Sequence, residues 1–222
     1  NMQAHIIWDW NGTLLDDFHI SLKATNTALM GIDVLPLSSE EYRSLYCVPV
    51  QDFYHQVLGR KPTLLEWSKI GKKFSQIYKQ EVLDAPLAQD AARLLNERQS
   101  HSVCSLMEHN LLIKMLSTFG IIRHFSEVHG RTEPLNQEGK SAYLKKHLSQ
   151  LITRQGINKN EIVLIGDTQD DADAAHALGL SSILYSGGAF SHQRLADTGN
   201  PVVNTLAEAV VLADQLVQER AK

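Results

Sequence analysis

Residues 6–17 read Ile6-Ile7-Trp8-Asp9-Trp10-Asn11-Gly12-Thr13-Leu14-Leu15-Asp16-Asp17. A short apolar run ends in an aspartate and then in a glycine turn, so residues 4–9 predict a β-strand that stops at Gly12-Thr13. From about Phe18 to Leu83 the pattern changes to helical spacing, as in Leu22 and Leu29 and then Phe53, Tyr54, Val57 and Leu58, with Pro36, Gly59 and Pro62 as punctuation. After Pro86 strands and helices alternate. Strands are expected at Ser102–Ser105, Phe125–His129, Glu161–Ile165 and Ser182–Tyr185. Helices are expected at 91–95, 111–119, 141–151, 172–178, closed by Gly179, and 206–216. This alternation predicts an α/β fold, a doubly wound parallel sheet of Rossmann-like character, with a smaller all-helical domain inserted after the first strand. The expected division is a core of residues 1–17 and 85–222 and a helical domain of residues 18–84.

Composition narrows the function classes. The chain has 222 residues, 43% hydrophobic and 21% charged, which suits a globular protein with one sizeable core and a smaller insertion. A formal net charge of -4 gives no basic surface for nucleic acid or an anionic membrane. The longest apolar runs, such as Ile162-Val163-Leu164-Ile165, are far too short to span a bilayer. No charged segment leads into an apolar one near the start, and two cysteines, Cys47 and Cys104, make no disulfide framework, so a cytoplasmic location is expected.

Open α/β sheets bind ligands beyond the carboxyl ends of their strands. Three expected strands deliver polar residues there: Asp9, Ser105 and Asp167. One aspartate at a strand end is ordinarily a turn former or helix cap, but three converging ends suggest a site. A carboxylate can attack phosphorus and form an aspartyl-phosphate that water then hydrolyses, and Asp9 is placed for that. Backbone N–H groups around Gly12 and Thr13 are candidates for an anion-binding nest.

These residues resemble a known family. Asp9-Trp10-Asn11-Gly12-Thr13-Leu14 resembles motif I of the haloacid dehalogenase superfamily, whose commonest form is Asp-x-Asp-Gly-Thr. Ser105, in Val103–Asn110, resembles motif II, and Lys140, in Asn136–Leu144, resembles motif III. Gly166-Asp167-Thr168-Gln169-Asp170-Asp171 resembles motif IV, the most specific match. Order and spacing fit along nearly the whole chain, the helical insertion matches the family's cap, and phosphoglycolate-phosphatase-like members are the nearest in kind. The resemblance implies Mg²⁺ held by the Asp9 carboxylate, the Asn11 main-chain carbonyl and Asp167, with Asp171 as a further ligand or support. It implies that Ser105 binds a phosphate oxygen and that Lys140 neutralises the phosphate and Asp9.

Competing residues surround each assignment. Lys145 and Lys146 are helix residues expected in solvent, and turn context favours Lys140. Ser105 is preferred to Ser102. Asp170 and Asp173 suit a solvated helix start, Glu108 and His109 an exposed edge. Asp16 and Asp17 stand where the helical domain begins, as hinge hydrogen-bonding groups or as exposed acids. Trp8 is expected in the core and Trp10 near the cap, within reach of substrate. Residues 46–59 are a candidate specificity segment, with packing around Phe53, Val57 and Leu58 as the alternative.

Asn11 is the departure from the family pattern. The second aspartate of this motif usually protonates the leaving group and then activates water; an amide can do neither. The metal site survives, because its ligand there is main chain. Loss of general acid–base help typically costs about 10²–10⁴-fold, so Asn11→Asp is expected to raise turnover of substrates with poor leaving groups.

The expected protein is thus a Mg²⁺-dependent hydrolase of small phosphomonoesters, monomeric or homodimeric, acting on a phosphorylated metabolite, with no nucleic-acid or membrane partner. Two alternatives stand beside it. One is a binding protein that keeps the shell without turnover. The other is a carbon–phosphorus hydrolase resembling phosphonoacetaldehyde hydrolases, whose motif is Asp-Trp-Ala-Gly-Thr and which need a cap lysine; Lys23, Lys61, Lys69, Lys72, Lys73 and Lys79 are available.

Overall fold

The computed structural model describes residues 2–133 and 140–222. Six parallel strands form one sheet in the order β3-β2-β1-β4-β5-β6. They are β1 (His5–Trp8), β2 (His101–Glu108), β3 (Phe125–Arg131), β4 (Ile162–Gly166), β5 (Ser181–Tyr185) and β6 (Val202–Val203). The chain builds outward from β1 to β3, then returns to the other side of β1 and builds outward from β4 to β6. The reversal between β1 and β4 is the switch point at which such sheets place their ligands.

Both faces of the sheet are covered, which is why its central strands are apolar runs rather than alternating ones. Ile6, Trp8, Val103, Val163 and Ile165 point to one side. There they pack against α5 (Ala91–Glu97), α6 (His109–Thr118) and α10 (Leu206–Arg220). Ile7, Cys104, Ile162 and Leu164 point to the other, against α7 (Ser141–Thr153) and α8 (Gln169–Ala177). Cys104 is buried in that layer, and both it and Cys47 are free thiols.

Between β1 and β2 lie α1 (Phe18–Met30), α2 (Ser39–Leu45), α3 (Val50–Leu58) and α4 (Leu64–Glu81). Capping boxes at Ser38 with Glu41 and at Thr63 with Glu66 start α2 and α4. The four helices surround an aromatic cluster of their own, built on Phe18, Tyr42, Phe53 and Tyr54. The segment 46–59 feeds this cluster: Phe53 and Tyr54 are buried in it, with Val57 and Leu58 packed against it. No helix among the described residues is long and apolar enough to cross a membrane.

The structure differs from the sequence expectation in several places, among them α8, which starts at Gln169 rather than Ala172 on the Thr168–Asp171 capping box. β2 runs on to Glu108, so Ser105 lies inside the strand and not at its end, although the ladder to β3 shifts register between Cys104 and Glu108. β6 and α9 (His192–Ala196) lie outside the expectation; two and five residues are too short to show a period. α6 starts at His109 rather than Leu111 because the Glu108 carboxylate accepts the Asn110 and Leu111 N–H groups.

Candidate active site

The register of the two central strands sets the site. Trp8 pairs with Ile165, and the Asp9 N–H donates to the Ile165 carbonyl at 2.9 Å, so Asp9 and Asp167 leave neighbouring strand ends together. Lys140 stands at the N-terminus of α7. Its buried ammonium donates to Asp9 Oδ1 at 2.7 Å and to Asp171 Oδ1 at 2.9 Å. The other Asp171 oxygen accepts the Asp167 and Thr168 N–H groups, both at 3.2 Å, and the Thr168 hydroxyl. Asp171 therefore fixes both the lysine and the turn that carries Asp167. The loop context that favours Lys140 in the sequence, residues 136–139, lies outside the described residues.

One carboxylate oxygen from each of Asp9, Asp167 and Asp171 lies within 4.8 Å of the others. Three buried acids thus face one ammonium. Burial and the Asp171 charge push Asp9 up to about 6, with Lys140 pulling it back. Burial, then the Asp9 and Asp171 charges, hold Asp167 well above the usual carboxylate range. Burial alone would lower Lys140, but Asp171 and Asp9 outweigh it and keep the ammonium well above its ordinary value. Hard oxygen donors with surplus negative charge suit a divalent cation.

Two glycines make room for Asp167. A Cβ on Gly12, whose φ is +73°, would overlap Asp167 Oδ2. A Cβ on Gly188 would overlap the same oxygen and the Gly12 carbonyl. The next residue closes the contact, as the Ala189 N–H donates to Asp167 Oδ2 at 2.9 Å. Thr13 is fully buried, and its hydroxyl lies 3.3 Å from Asp9 Oδ2 and 3.4 Å from Asp167 Oδ1.

A second network adjoins the first. Asn11 donates from Nδ2 to the Tyr78 hydroxyl at 2.7 Å and to Asp17 Oδ2 at 3.1 Å. Tyr78 donates to the same Asp17 oxygen at 2.7 Å, and the Gly12 N–H donates to Asp17 Oδ1 at 2.9 Å. The buried Ser105 hydroxyl donates to Asn11 Oδ1 at 3.2 Å. Burial raises the Asp17 carboxyl, and the Tyr78, Asn11 and Gly12 donors pull it back.

Two expectations change here. The anion nest at Gly12 and Thr13 is not open: the Gly12 N–H is shared by Leu15 O and Asp17, and the Thr13 N–H donates to Trp10 O at 3.2 Å. Trp10 does not approach the helical insertion's side of the site as a substrate contact; it is fully buried in the sheet's apolar layer, edge-on to Phe119 with ring centroids 6.1 Å apart. Its apolar bulk outweighs its proximity to Asp9. Among the remaining candidates, Asp16, Lys145, Lys146, Asp173 and Glu108 are exposed. Lys23, Lys61, Lys69, Lys72 and Lys79 are exposed too, Lys73 is half-buried, and Lys140 is the amine that touches Asp9 among the described residues.

The sequence profile of the haloacid dehalogenase-like hydrolases matches residues 6–185. The chain belongs to the haloacid dehalogenase-like hydrolase family. Within that family it is 25% identical over 201 residues to a phosphoglycolate phosphatase of Synechococcus elongatus, covering 87% of this chain and 88% of the relative. It is 24% identical over 212 residues to a phosphoglycolate phosphatase of Chromobacterium violaceum, covering 91% and 93%. A haloacid dehalogenase-like family hydrolase from Streptococcus pneumoniae shares the fold at a TM-score of 0.77 and 16% identity, over 95% of this chain and 98% of that one.

Tyr78, Gly188 and Ala189 have no sequence signal. Tyr78 is one of several aromatics on a helix and lies 61 positions from Asp17. Gly188 and Ala189 follow β5 in a stretch without alternation. The Asp16-Asp17 pair is visible, but only burial separates the exposed first acid from the networked second.

Proposed function

We propose that this hydrolase is a Mg²⁺-dependent phosphatase of small phosphomonoesters, cytoplasmic, with a short phosphorylated hydroxy acid of the phosphoglycolate kind as its substrate class. The observation that carries the reading is the Lys140 ammonium bridging buried Asp9 and Asp171 at 2.7 and 2.9 Å, beside Asp167 at the switch point. Two phosphoglycolate phosphatases aligned along most of their length support the substrate class.

Asp9 attacks phosphorus through a carboxylate oxygen; the oxygen–phosphorus bond forms as the ester bond to the leaving oxygen breaks. Lys140 stays against Asp9 and offsets charge on the phosphoryl oxygens. Ser105 gives up its bond to Asn11 and donates to one of those oxygens. Mg²⁺, held by Asp9, Asp167 and the Asn11 main-chain carbonyl, would supply the remaining positive charge. Asp171, with both oxygens engaged, serves by holding Lys140 and the Asp167 turn. Water then attacks the aspartyl-phosphate, releasing phosphate and restoring Asp9. Asn11 moves no proton, so leaving groups that depart without one are turned over best.

Residues 1–17 and 85–222 act as the catalytic core and residues 18–84 as a lid that excludes water. Tyr78 from α4, which bonds Asn11 and Asp17, and Arg43 from α2, which donates to the Gly188 carbonyl at 3.1 Å, support that division.

The test is phosphate release from 2-phosphoglycolate and from p-nitrophenyl phosphate, with Mg²⁺ and with chelator. Mg²⁺-dependent turnover that Asp9→Asn abolishes is expected. An Asp9→Asn protein as active as the wild type would sink the mechanism, and a wild type inert on both substrates while binding Mg²⁺ would favour the binding-protein reading.

A further inference from the structure

We propose that Asp17 and Tyr78 are positioning residues of this site, and that together they make asparagine rather than a second acid the working residue at position 11. The kinetic half of this inference rests on the phosphatase reading; the stability half does not.

Proton counting carries the argument. An ionised carboxylate accepts hydrogen bonds and donates none. Asp17 is buried and accepts from three donors: the Gly12 N–H, the Asn11 Nδ2 and the Tyr78 hydroxyl. Tyr78 passes its single proton to Asp17 and takes one from Asn11 Nδ2. The Asn11 amide has two protons on nitrogen, one for each partner, and its oxygen faces the Ser105 hydroxyl. Turning the amide over would aim its oxygen at the Asp17 carboxylate. Every polar atom of the ring is matched in one arrangement, and that arrangement requires an amide at position 11 when an acid stands at position 17.

A carboxylate at position 11 removes both Nδ2 protons. It sets an acid at the half-buried position 11 against buried Asp17 at a contact that is now 3.1 Å, and it leaves the Tyr78 hydroxyl one donor short. The family's second acid is therefore excluded here by Asp17, not merely absent. The same ring ties α4 to the catalytic turn, so the residue facing Ser105 is set by a helix of the insertion. The effect expected of Asn11→Asp reverses on this ground: alone it harms the site, and it helps only when Asp17 becomes asparagine and supplies the missing donor.

The experiment is a double-mutant cycle on the intact protein: wild type, N11D, D17N and N11D/D17N, with Y78F beside them. Each is assayed with p-nitrophenyl phosphate and Mg²⁺, and each is melted without substrate. N11D is expected to lower kcat roughly tenfold or more, the scale of a charge-assisted hydrogen bond lost and two like charges brought into contact. Adding D17N is expected to bring kcat back to the wild-type level or above. Y78F is expected to lower kcat about threefold or more after rates are normalised to the folded fraction at the assay temperature, read from its melting curve, because a smaller folded fraction alone would lower kcat at unchanged KM. Equal effects of N11D with and without D17N would overturn the proposal, as would Y78F at wild-type kcat for the part given to Tyr78. If the wild type turns over no substrate, the phosphatase reading fails on its own and melting temperature decides: an N11D loss reversed by D17N supports the coupling, and additive losses refute it.

Discussion

At the carboxyl ends of β1 and β4 three acids gather and two of them share one lysine, while under α7, on the sheet face that carries His5 and Ser102, two histidines meet nitrogen to nitrogen. His147 Nδ1 lies 2.6 Å from His129 Nδ1, and His147 Nε2 lies 2.7 Å from the Ser102 hydroxyl. That hydroxyl is 2.8 Å from His5 Nε2, and His5 Nδ1 is 2.8 Å from the Ser100 hydroxyl. A nitrogen–nitrogen contact needs a proton on one side and a lone pair on the other, so two imidazolium rings cannot occupy it. Both clusters are buried and hydrogen-bonded, yet they solve burial in opposite ways. The acids gather round the Lys140 ammonium; the histidines shed charge. Burial, then the neighbouring His129 and His5, hold His147 well below its ordinary value, and burial with His101 lowers His5 to about 3.

The two regions should therefore answer pH with opposite signs. Between about pH 6.5 and 3 the unfolded chain protonates His5 while the fold does not, so stability falls as pH falls through that window. Asp9, raised from 3.8 to about 6, works the other way: the fold binds its proton more readily than the unfolded chain, and stability falls as pH rises across that window. A bound divalent cation opposes this second loss, because it favours the ionised acids.

The largest break expected on the acidic side comes from Gly188→Ala. The added methyl would overlap Asp167 Oδ2, Asp167 Cβ and the Gly12 carbonyl, so Asp167 or the turn at Gly12 must shift. Misplacing a reacting group by about 1 Å can cost about 10²-fold, so a loss of that order in kcat/KM for p-nitrophenyl phosphate is expected. Activity within twofold of wild type would show that the loop after β5 does not set Asp167.

On the histidine side the sharper tool is His147→Gln, which keeps a polar group beside Ser102 but removes one proton-binding site. Urea unfolding at several pH values between 5 and 6.5 should show the slope of unfolding free energy against pH reduced by up to about 1.4 kcal/mol per pH unit, one proton's worth. An unchanged slope would mean that His147 is not among the groups that resist protonation in the fold.

The two clusters also differ in how far the sequence exposes them. Asp9 and Asp167 end apolar runs, and Lys140 sits by a turn, so the acidic site can be read from local pattern and family resemblance. The histidine chain joins residues from β1, β2, β3 and α7, and nothing local marks His129 as the partner of His147. Ser105 is legible but misplaced, because Leu106 and Met107 extend β2 past it in the same apolar register. The doubly wound sheet follows from alternation, whereas the two-residue β6 carries no period to read. Contacts across the site, Tyr78 to Asp17 and Ala189 to Asp167, depend on how distant elements pack and leave no trace in either segment.

Trp10 sharpens the contrast from the other direction, since it is a buried polar group that joins neither cluster. Its Nε1 has no hydrogen-bond partner among the described residues, and its ring lies among the apolar side chains above the sheet. An unpaired buried N–H costs about 1–3 kcal/mol, so replacing the indole removes a penalty together with packing. Trp10→Phe loses part of the ring's contacts with Phe119 and its neighbours but also deletes the orphaned donor. The two terms oppose each other, and the net change in unfolding free energy is expected to stay within about 1.5 kcal/mol, the range of a tolerated core replacement. Because Trp10 turns away from the acids into the core, kcat and KM for p-nitrophenyl phosphate should stay within twofold of wild type. A KM raised severalfold with the fold intact would return Trp10 to the substrate side of Asp9 and take it from the apolar layer it shares with Leu14 and Leu15.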